Sequence, residues 1–319
     1  MGFLMLDNIA HINDDIHQKH KATEIYENDV LLNITGASIG RTAVATKELE
    51  GGNVNQHVCI IRTNSKVNPK FLCDYIQTQR IQNHIKSLQT GGSREGLNFE
   101  QIRSFPISLP SINEQNKLTC LLDKINERIA TQVRLIDRLQ SLMIGIAQKI
   151  AHSNKPNVRI SDCLECSSSA LQESEVNKTG KYPVYGANGI VGYIDKYHTQ
   201  NEAIYIIKDG SGVGGVSYVT GKCSSTGTLN ILQAKNGHSL KYLYYLLKVF
   251  NFVPYKTGMA IPHIYFKDYG KAKIFCPAYP EQLEYAKLLS SIDGNLRIAL
   301  DSLKNFNLQK QYLLRHMLI

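Results

Sequence analysis

Residues 111–150 read SINEQNKLTCLLDKINERIATQVRLIDRLQSLMIGIAQKI and predict one long amphipathic helix. Ser111 followed by Glu114 is a capping-box pattern, which marks the point where the helix begins. About 35 helical residues make a rod of roughly 50 Å. The apolar residues recur at alternating steps of four and three, the spacing of a coiled-coil seam that only Gln132 interrupts. This seam consists of Leu118, Leu122, Ile125, Ile129, Ile136, Leu139, Met143, Ile146 and Ile150.

A second stretch, residues 280–317, repeats this helix and reads PEQLEYAKLLSSIDGNLRIALDSLKNFNLQKQYLLRHM. An offset of 167 residues places most of the first seam on apolar residues of the second, although Met143 falls on Lys310. As polar seam positions, Gln132 and Lys310 are candidates for fixing the pairing register. Alternatively, the Lys310 ammonium extends to water where the seam frays. The candidate helix-pairing residues are Leu122, Ile125, Ile129, Ile136, Leu139 and Ile146 in the first helix and Leu289, Ile292, Leu296, Leu303, Phe306 and Leu313 in the second.

The globular segments upstream of the two helices repeat as well. A period of about 170 residues is too long for a solenoid, so it indicates a tandem duplication of one domain with its helix. The segment 70–72 (KFL) also matches 241–243 (KYL). The other matched pairs are Gly36 with Gly210, Gly40 with Gly214, Gly91 with Gly258, Phe99 with Phe266, Ile107 with Ile274, and Pro110 with Pro277.

The duplication predicts an α+β chain of two similar domains, each followed by a long helix. Each domain is expected to hold four or five short strands and one short helix. The predicted segments are a first domain at 1–110, a long helix at 111–152, a second domain at 153–279 and a second long helix at 280–319. Strands are predicted at 3–6, 29–34, 42–45, 58–61, 107–109, 203–207 and 216–219, and short helices at 69–87 and 240–250.

The net charge indicates the type of partner, and the cysteine content indicates the redox compartment. The 319-residue chain has a net charge of +9, which favours an anionic partner such as nucleic acid. Its seven cysteines are odd in number and scattered, which suits a reducing cytoplasm. Cys163 and Cys166 form half of a possible zinc knuckle, but no second close pair completes it, so no metal site is predicted. No apolar run reaches membrane-spanning length.

The stretch 210–215 (GSGVGG) follows a predicted strand and satisfies G-x-G-x-x-G, the pattern of a dinucleotide-binding turn. The next residues, VSYVTG, read as a strand rather than a helix, and a dinucleotide site needs a helix there. The stretch therefore favours a glycine-rich hairpin. Because no group of residues has catalytic spacing, the chain is predicted to bind rather than to catalyse.

Small polar, basic and aromatic residues in or beside the glycine-rich turns are the candidates for contacting DNA. Arginine and lysine can pair with guanine edges or phosphates, and asparagine can pair with adenine. The candidate DNA-binding residues are Arg41, Ser93, Arg94, Asn188, Tyr205, Lys208 and Lys222.

Each half of the chain has a glycine turn after a strand, then a loop that begins with glycine, then a segment that leads into the long helix. These last segments read ISLPSINEQNKL and IFCPAYPEQLEY. The chain resembles the specificity subunit of type I restriction-modification systems. The resemblance implies two target recognition domains that each read one half of a bipartite double-stranded DNA site. It also implies that the two long helices pack as an antiparallel coiled coil with pseudo-twofold symmetry.

The same resemblance implies partners for the chain. Methyltransferase subunits would supply S-adenosylmethionine-dependent adenine methylation, and restriction subunits would supply ATP-dependent translocation and cleavage. The specificity subunit itself is then non-catalytic and carries no cofactor, and no membrane partner is expected.

The first domain departs from the family pattern at its start. Only 28 residues precede its strand at 29–34, against about 45 before the equivalent strand at 203–207, and the opening VRISDCLECSSS has no clear equivalent. The first domain is therefore expected to be shortened or divergent there. Two other functions stay open at this point. One is an interaction adaptor whose first domain no longer reads DNA, and the other is an enzyme with a nucleotide site at 210–215.

Overall fold

The computed structural model describes residues 9–89, 96–258 and 260–316. The chain forms two compact units, one of residues 1–133 with 301–319 and the other of residues 134–300. Each unit therefore combines a globular domain with part of both long helices. The segment predicted as a strand at 3–6 lies outside the described residues.

The first half of the chain contains α1 (Asp14–Lys19), β1 (Val30–Asn33), β2 (Thr42–Val44), β3 (Val58–Ile61), α2 (Pro69–Ile76), α3 (Gln79–Gln89), α4 (Phe99–Arg103) and the long helix α5 (Ile112–His152). The three strands form an antiparallel sheet in the order β2-β1-β3. Val30 and Leu32 of β1 are buried and the residues between and after them are half exposed, because alternate side chains point to opposite faces. Phe71 and Ile76 of α2 join them in one apolar core.

The single helix predicted at 69–87 is wrong, because the structure has two helices there. The Thr78 hydroxyl donates to the Tyr75 carbonyl at 2.7 Å, and the Thr78 carbonyl accepts from the Gln82 amide at 3.0 Å. The Gln82 side chain donates to the Ile76 carbonyl at 2.8 Å, so a carbonyl at the end of α2 is satisfied from α3. A threonine with these bonds ends one helix and begins the next.

The second half contains β4 (Val158–Arg159), α6 (Ile160–Cys163), β5 (Leu164–Ser168), β6 (Tyr182–Gly186), β7 (Gly189–Ile194), β8 (Glu202–Ile207), β9 (Val216–Thr220), β10 (Ser224–Ser225), β11 (Leu229–Ala234), α7 (Leu240–Val249), α8 (Phe266–Tyr269), β12 (Lys273–Ile274) and the long helix α9 (Tyr279–His316). The largest sheet has the order β5-β11-β8-β9, and smaller sheets have the orders β10-β6-β7 and β12-β4.

Strand β8 is the centre of the second domain's core. Ala203, Ile204, Tyr205 and Ile206 are all fully buried, which means that both faces of the strand are covered. Helix α7 packs against β8 and β9, and Tyr185 of β6 lies 5.8 Å from the Tyr205 ring, measured between centroids. Covering on both faces explains why this strand reads as a continuous apolar run instead of an alternating one.

The two domains share a common part and differ in what surrounds it. Strands β2, β1 and β3 of the first domain correspond to β9, β8 and β11 of the second, and α2 corresponds to α7. Among the described residues, β5 and the small sheet β10-β6-β7 have no counterpart in the first domain. The expectation of four or five strands per domain is therefore wrong for the part that is described, which holds three in the first domain and nine in the second.

The strand predicted at 107–109 is also wrong. Its counterpart in the second domain is β12, which pairs with β4 at the start of that domain. The described part of the first domain offers no equivalent of β4. The Ser108 amide donates instead to the Tyr75 hydroxyl at 3.1 Å, and the prolines at 106 and 110 cannot donate to a ladder.

The long helices run antiparallel, as the contacts inside each unit show. In the first unit, the Arg128 guanidinium of α5 lies 5.9 Å from the centre of the Phe306 ring of α9. In the second unit, Met143 and Ala147 of α5 line one pocket with Leu296 of α9. The start of α5 therefore packs beside the end of α9, and the end of α5 packs beside the start of α9. The α+β class and the paired long helices agree with the sequence prediction.

The predicted seam coincides with the covered side of each helix. Exposed apolar residues such as Leu121, Leu142 and Leu288 lie between the seam positions. Lys310 is half buried in the first unit. Among the described residues, no helix has the length and apolarity that a membrane crossing requires. Of the predicted pairing residues, Leu122, Ile125, Ile136, Leu289, Ile292 and Leu296 are buried, and Ile129, Leu139, Ile146, Leu303, Phe306 and Leu313 are half buried.

Candidate nucleic-acid interface

The first domain presents a tight glycine hairpin between β1 and β2. The Asn33 amide donates to the Arg41 carbonyl and the Gly40 amide donates to the Asn33 carbonyl, both at 2.9 Å. The Asn33 side chain donates to the Ser38 hydroxyl at 2.6 Å, which ties the turn to the strand. Gly36 and Gly40 have φ values of 69° and 83°, a region that side chains with a Cβ rarely adopt. Arg41 is exposed at the end of this turn.

The second domain repeats the same hairpin between β8 and β9. The Ile207 amide donates to the Gly215 carbonyl and the Gly214 amide donates to the Ile207 carbonyl, again at 2.9 Å. Gly210 and Gly214 have φ values of 97° and 91°. The hairpin interpretation of residues 210–215 is confirmed, because a strand and not a helix follows the turn. A dinucleotide turn would need a helix N-terminus at this point.

In both domains a later loop pairs with the residue that follows the first hairpin strand. The Leu97 amide donates to the Ile34 carbonyl at 2.8 Å, and the Ile264 amide donates to the Lys208 carbonyl at 2.9 Å. Lys208 thus holds in the second domain the position that Ile34 holds in the first. The cation is half exposed, at the base of the turn.

The loop beside Lys208 is a compact turn. Backbone bonds run both ways between Thr257 and His263, at 2.9 and 2.8 Å. Gly258 has a φ of 86°, and a Cβ there would lie 2.4 Å from the Ile261 carbonyl oxygen, so the turn requires glycine. The Nδ1 atom of His263 lies 3.0 Å from Oδ1 of Asp209 in the hairpin. This part-exposed pair offers a donor and an acceptor side by side, which suits base edges.

A cluster of two lysines and two tyrosines, which we call the tyrosine–lysine cluster, lies elsewhere on the second domain. Lys222 places its ammonium 4.8 Å from the centre of the Tyr197 ring, and Lys181 lies 5.6 Å from that of Tyr182. The two rings meet edge to face with their centres 5.1 Å apart. Cations held against aromatic rings can contact a phosphate backbone. The tyrosine-rich stretch around 182–197 is the signal in the sequence that could have drawn attention to these rings.

The structure places the other predicted DNA-binding residues in different environments. Asn188 is exposed in the turn between β6 and β7. Ser93 and Arg94 lie outside the described residues. Tyr205 is corrected to a core residue, because its side chain is fully buried and its hydroxyl bonds Thr199 at 2.8 Å. A strand residue covered on both faces cannot reach a ligand, and the continuous apolar run of β8 is the signal that could have indicated burial.

A duplicated α+β protein with matched loops and two shared long helices is the class that this fold and site define. A family model described as "Type I restriction modification DNA specificity domain" matches residues 6–141 and 153–305, which together are most of the chain. The chain belongs to this family of type I restriction-modification specificity proteins.

Individual relatives are more distant. The chain is 25% identical over 123 residues to a putative type I restriction enzyme specificity subunit of Haemophilus influenzae, a match that covers 38% of this chain and 32% of that protein. It is 24% identical over 127 residues to the type I restriction enzyme EcoBI specificity subunit of Escherichia coli, covering 39% of this chain and 26% of that protein. The matched stretches therefore span about a third or less of each curated relative.

Solved structures share the fold at low identity. The type I restriction-modification S subunit of M. genitalium superimposes with a TM-score of 0.68 at 18% identity, covering 93% of this chain and 84% of that one. A chain from a structure on complex assembly and conformational transition of the type I R-M system gives a TM-score of 0.57 at 17% identity, covering 91% of this chain and 81% of that one. These likenesses extend over both domains and both long helices.

Proposed function

We propose that the chain is the DNA-specificity subunit of a type I restriction-modification complex, with each domain reading one half of a bipartite site. The observation that carries the proposal is the repeated hairpin. Both domains present the same glycine turn with the same backbone bonds. In the first domain the cation Arg41 directly precedes the second strand of the hairpin. In the second domain the cation Lys208 directly follows the first strand.

The physical setting supports DNA as the ligand. A net charge of +9 attracts a polyanion, and lysines on aromatic rings are suited to phosphates. Two reading domains in one chain would each contact one half-site, with an unread gap between the half-sites, as in other DNA-binding proteins with paired reading elements.

In this proposal the chain itself carries out no chemistry. Methyltransferase subunits would modify adenine and restriction subunits would cleave, with the long helices as the docking surface for the methyltransferase. The family membership supports these partners, as does the second structural neighbour, which comes from a structure on complex assembly of the type I R-M system. The cytoplasm is the proposed site of action, because the DNA target and the free thiols both fit there.

The adaptor alternative is not favoured. It requires that the first domain has lost its recognition surface. The described part of that domain instead keeps the glycine turn, the exposed Arg41 and the sheet that supports them.

The test compares Lys208→Ala with the unaltered chain in complex with its methyltransferase subunit. Sequencing of methylated adenines in host DNA first identifies the target. Binding of that target is then measured against a scrambled duplex at several salt concentrations. Loss of a phosphate or base contact should weaken binding by about 1–3 kcal/mol, which is roughly 5- to 150-fold. The matched control is Lys271→Ala, an exposed lysine of the same domain, which should bind within about twofold of the unaltered chain.

Two results would count against the proposal. One is equal affinity of the unaltered complex for target and scrambled DNA. The other is a nearly flat dependence of affinity on salt, since binding through phosphates releases counterions and falls steeply as salt rises.

A further inference from the structure

Three potential metal ligands converge in the second domain. The thiol sulfurs of Cys163 and Cys276 and a ring nitrogen of His238 all lie within 4.8 Å of one another. Cys163 ends α6, His238 lies in the loop before α7, and Cys276 follows β12. Both cysteines are buried and the histidine is half buried. Three separate segments therefore bring their ligand atoms to one point, with the imidazole nearest to solvent.

The spacing of these atoms suits a small tetrahedral ion. Zinc binds sulfur at about 2.3 Å and imidazole nitrogen at about 2.0–2.1 Å, so its ligand atoms lie roughly 3.5–3.8 Å apart. A contraction of about 1.3 Å or less brings all three atoms to that spacing. Thiolate and imidazole ligands favour zinc over magnesium or calcium, which prefer oxygen.

A backbone carbonyl beside the His238 ring decides which of its nitrogens carries the proton. Its Nδ1 atom lies 3.2 Å from the Asn236 carbonyl oxygen. A carbonyl can only accept a hydrogen bond, so Nδ1 carries the proton and the lone pair is on Nε2. Metal-binding histidines are commonly held this way, with the second ring nitrogen donating to a carbonyl.

The backbone around the two cysteines is held in place before any metal binds. The Lys235 amide donates to the Cys163 carbonyl at 2.9 Å, which ties the histidine's loop to α6. Asn157 brackets Cys276, because its side chain accepts from the Cys276 amide and donates to the Cys276 carbonyl, both at 2.8 Å. Ligands on a fixed backbone lose little entropy when they bind an ion.

We propose that Cys163, His238 and Cys276 bind one Zn²⁺ ion, with water as the fourth ligand. The ion would join the first and last segments of the second domain. Cys163 and Cys276 lie near opposite ends of that domain in sequence, so the link closes a long loop and stabilises the fold. The proposal does not depend on DNA recognition.

The duplication makes this a feature of one domain. At the offset of 167 residues, Leu109 takes the place of Cys276 in the first domain. In the sequence, Cys163 and Cys166 form only half of a zinc knuckle, and no metal site is predicted there. The folded chain instead brings Cys163 to Cys276, while Cys166 is half exposed and its thiol donates to the Ser167 carbonyl.

The experiment measures zinc in the full-length chain, purified under a thiol reductant and dialysed after incubation with zinc. Elemental analysis should give about one zinc per chain. Cys276→Ser and His238→Gln should lose most of it. Cys166→Ser is the matched control and should retain it. Replacement by Co²⁺ should give thiolate-to-cobalt charge-transfer absorption and the strong visible bands of tetrahedral coordination, both absent in Cys276→Ser.

A second measurement covers variants that fail to fold. A strong chelator added to the unaltered chain should lower its Tm by several degrees, and zinc but not magnesium should restore it. A chain with no zinc and an unchanged Tm under chelation overturns the proposal. So does equal zinc loss in Cys166→Ser, or a Cys163–Cys276 disulfide found by mass spectrometry in place of the metal.

Discussion

Two buried carboxylates of the first domain have opposite protonation behaviour. Burial raises the pKa of Asp29, but hydrogen bonds from Arg62 and the Tyr26 amide outweigh it, so the pKa falls below its usual range. Burial raises the pKa of Asp74 to about 6, although Lys310 acts in the opposite direction. The difference arises because Arg62 donates twice to Asp29 at 2.8 Å. Asp74 Oδ2 has no hydrogen-bond partner among the described residues.

Asp74 is expected to reduce stability at neutral pH. Its folded pKa lies above its unfolded value, so the folded state holds the proton more tightly and stability falls as pH rises from roughly 4 to 6. Asp74→Asn should therefore raise the free energy of unfolding at pH 7 by on the order of 2 kcal/mol, and by much less at pH 4. Urea unfolding followed by circular dichroism at both pH values checks this.

The control for this prediction is Asp301→Asn, an exposed carboxylate on α9. It should leave the pH dependence unchanged. A stability gain in Asp74→Asn that is equal at pH 4 and pH 7 would mean that burial of the charge is not the cause.

The structure also shows which buried group is affected by the lysine at seam position 310. The seam pattern left it as the one polar mismatch between the two helices. In the folded chain the charge of its ammonium lowers the pKa of the buried Asp74 carboxyl of α2, which burial raises. Whether it also fixes the pairing register stays a prediction.

At the scale of elements, one buried glutamine fastens each long helix to its domain. In α5, Gln115 accepts from the Asn68 amide and donates to the Pro110 carbonyl, both at 2.9 Å. In α9, Gln282 makes the same two kinds of bond, to the Ser239 amide and the Pro277 carbonyl, both at 2.8 Å. Asn68 and Ser239 are the residues that cap α2 and α7.

Removal of this glutamine should destabilise the chain. Gln282→Ala leaves the buried Ser239 amide and the part-buried Pro277 carbonyl unpaired, and a buried unpaired group costs about 1–3 kcal/mol. We expect a loss of about 2–4 kcal/mol in the free energy of unfolding of the second unit. Chemical denaturation followed by circular dichroism measures it.

Gln148→Ala tests whether any glutamine on the long helices would have this effect. Gln148 is exposed on α5 within the same unit, so its loss should cost less than about 0.5 kcal/mol. Equal losses in the two variants would show that the buried bonds of Gln282 contribute nothing specific.

At the scale of the whole molecule, the duplication makes the two proposed recognition surfaces separable. If each domain reads its own half-site, Arg41→Ala should weaken or relax methylation preference in one half of the target. Lys208→Ala should affect the other half. Methylation sequencing of host DNA from cells that express each variant with the methyltransferase subunit measures both. A loss of preference in both halves from either variant would show that the domains do not read independently.

The sequence by itself determined the features that repeat locally. Apolar spacing fixed the two long helices and their covered faces, because a helix must place its seam residues on one side. The matched glycines fixed the two hairpins, because Gly36 and Gly210 adopt a backbone that other residues avoid. Family resemblance then gave the antiparallel helix pair, which local spacing alone does not specify.

Only the tertiary structure decided which distant residues meet. It places Tyr205 in the core and brings Gln115 and Gln282 to the residues that cap α2 and α7. It also brings Cys163 close to Cys276, which is far from it in sequence. These outcomes depend on how strands and loops far apart in the chain pack together. Local patterns report the backbone conformation of a segment, but burial and ligand geometry depend on the segments that cover it.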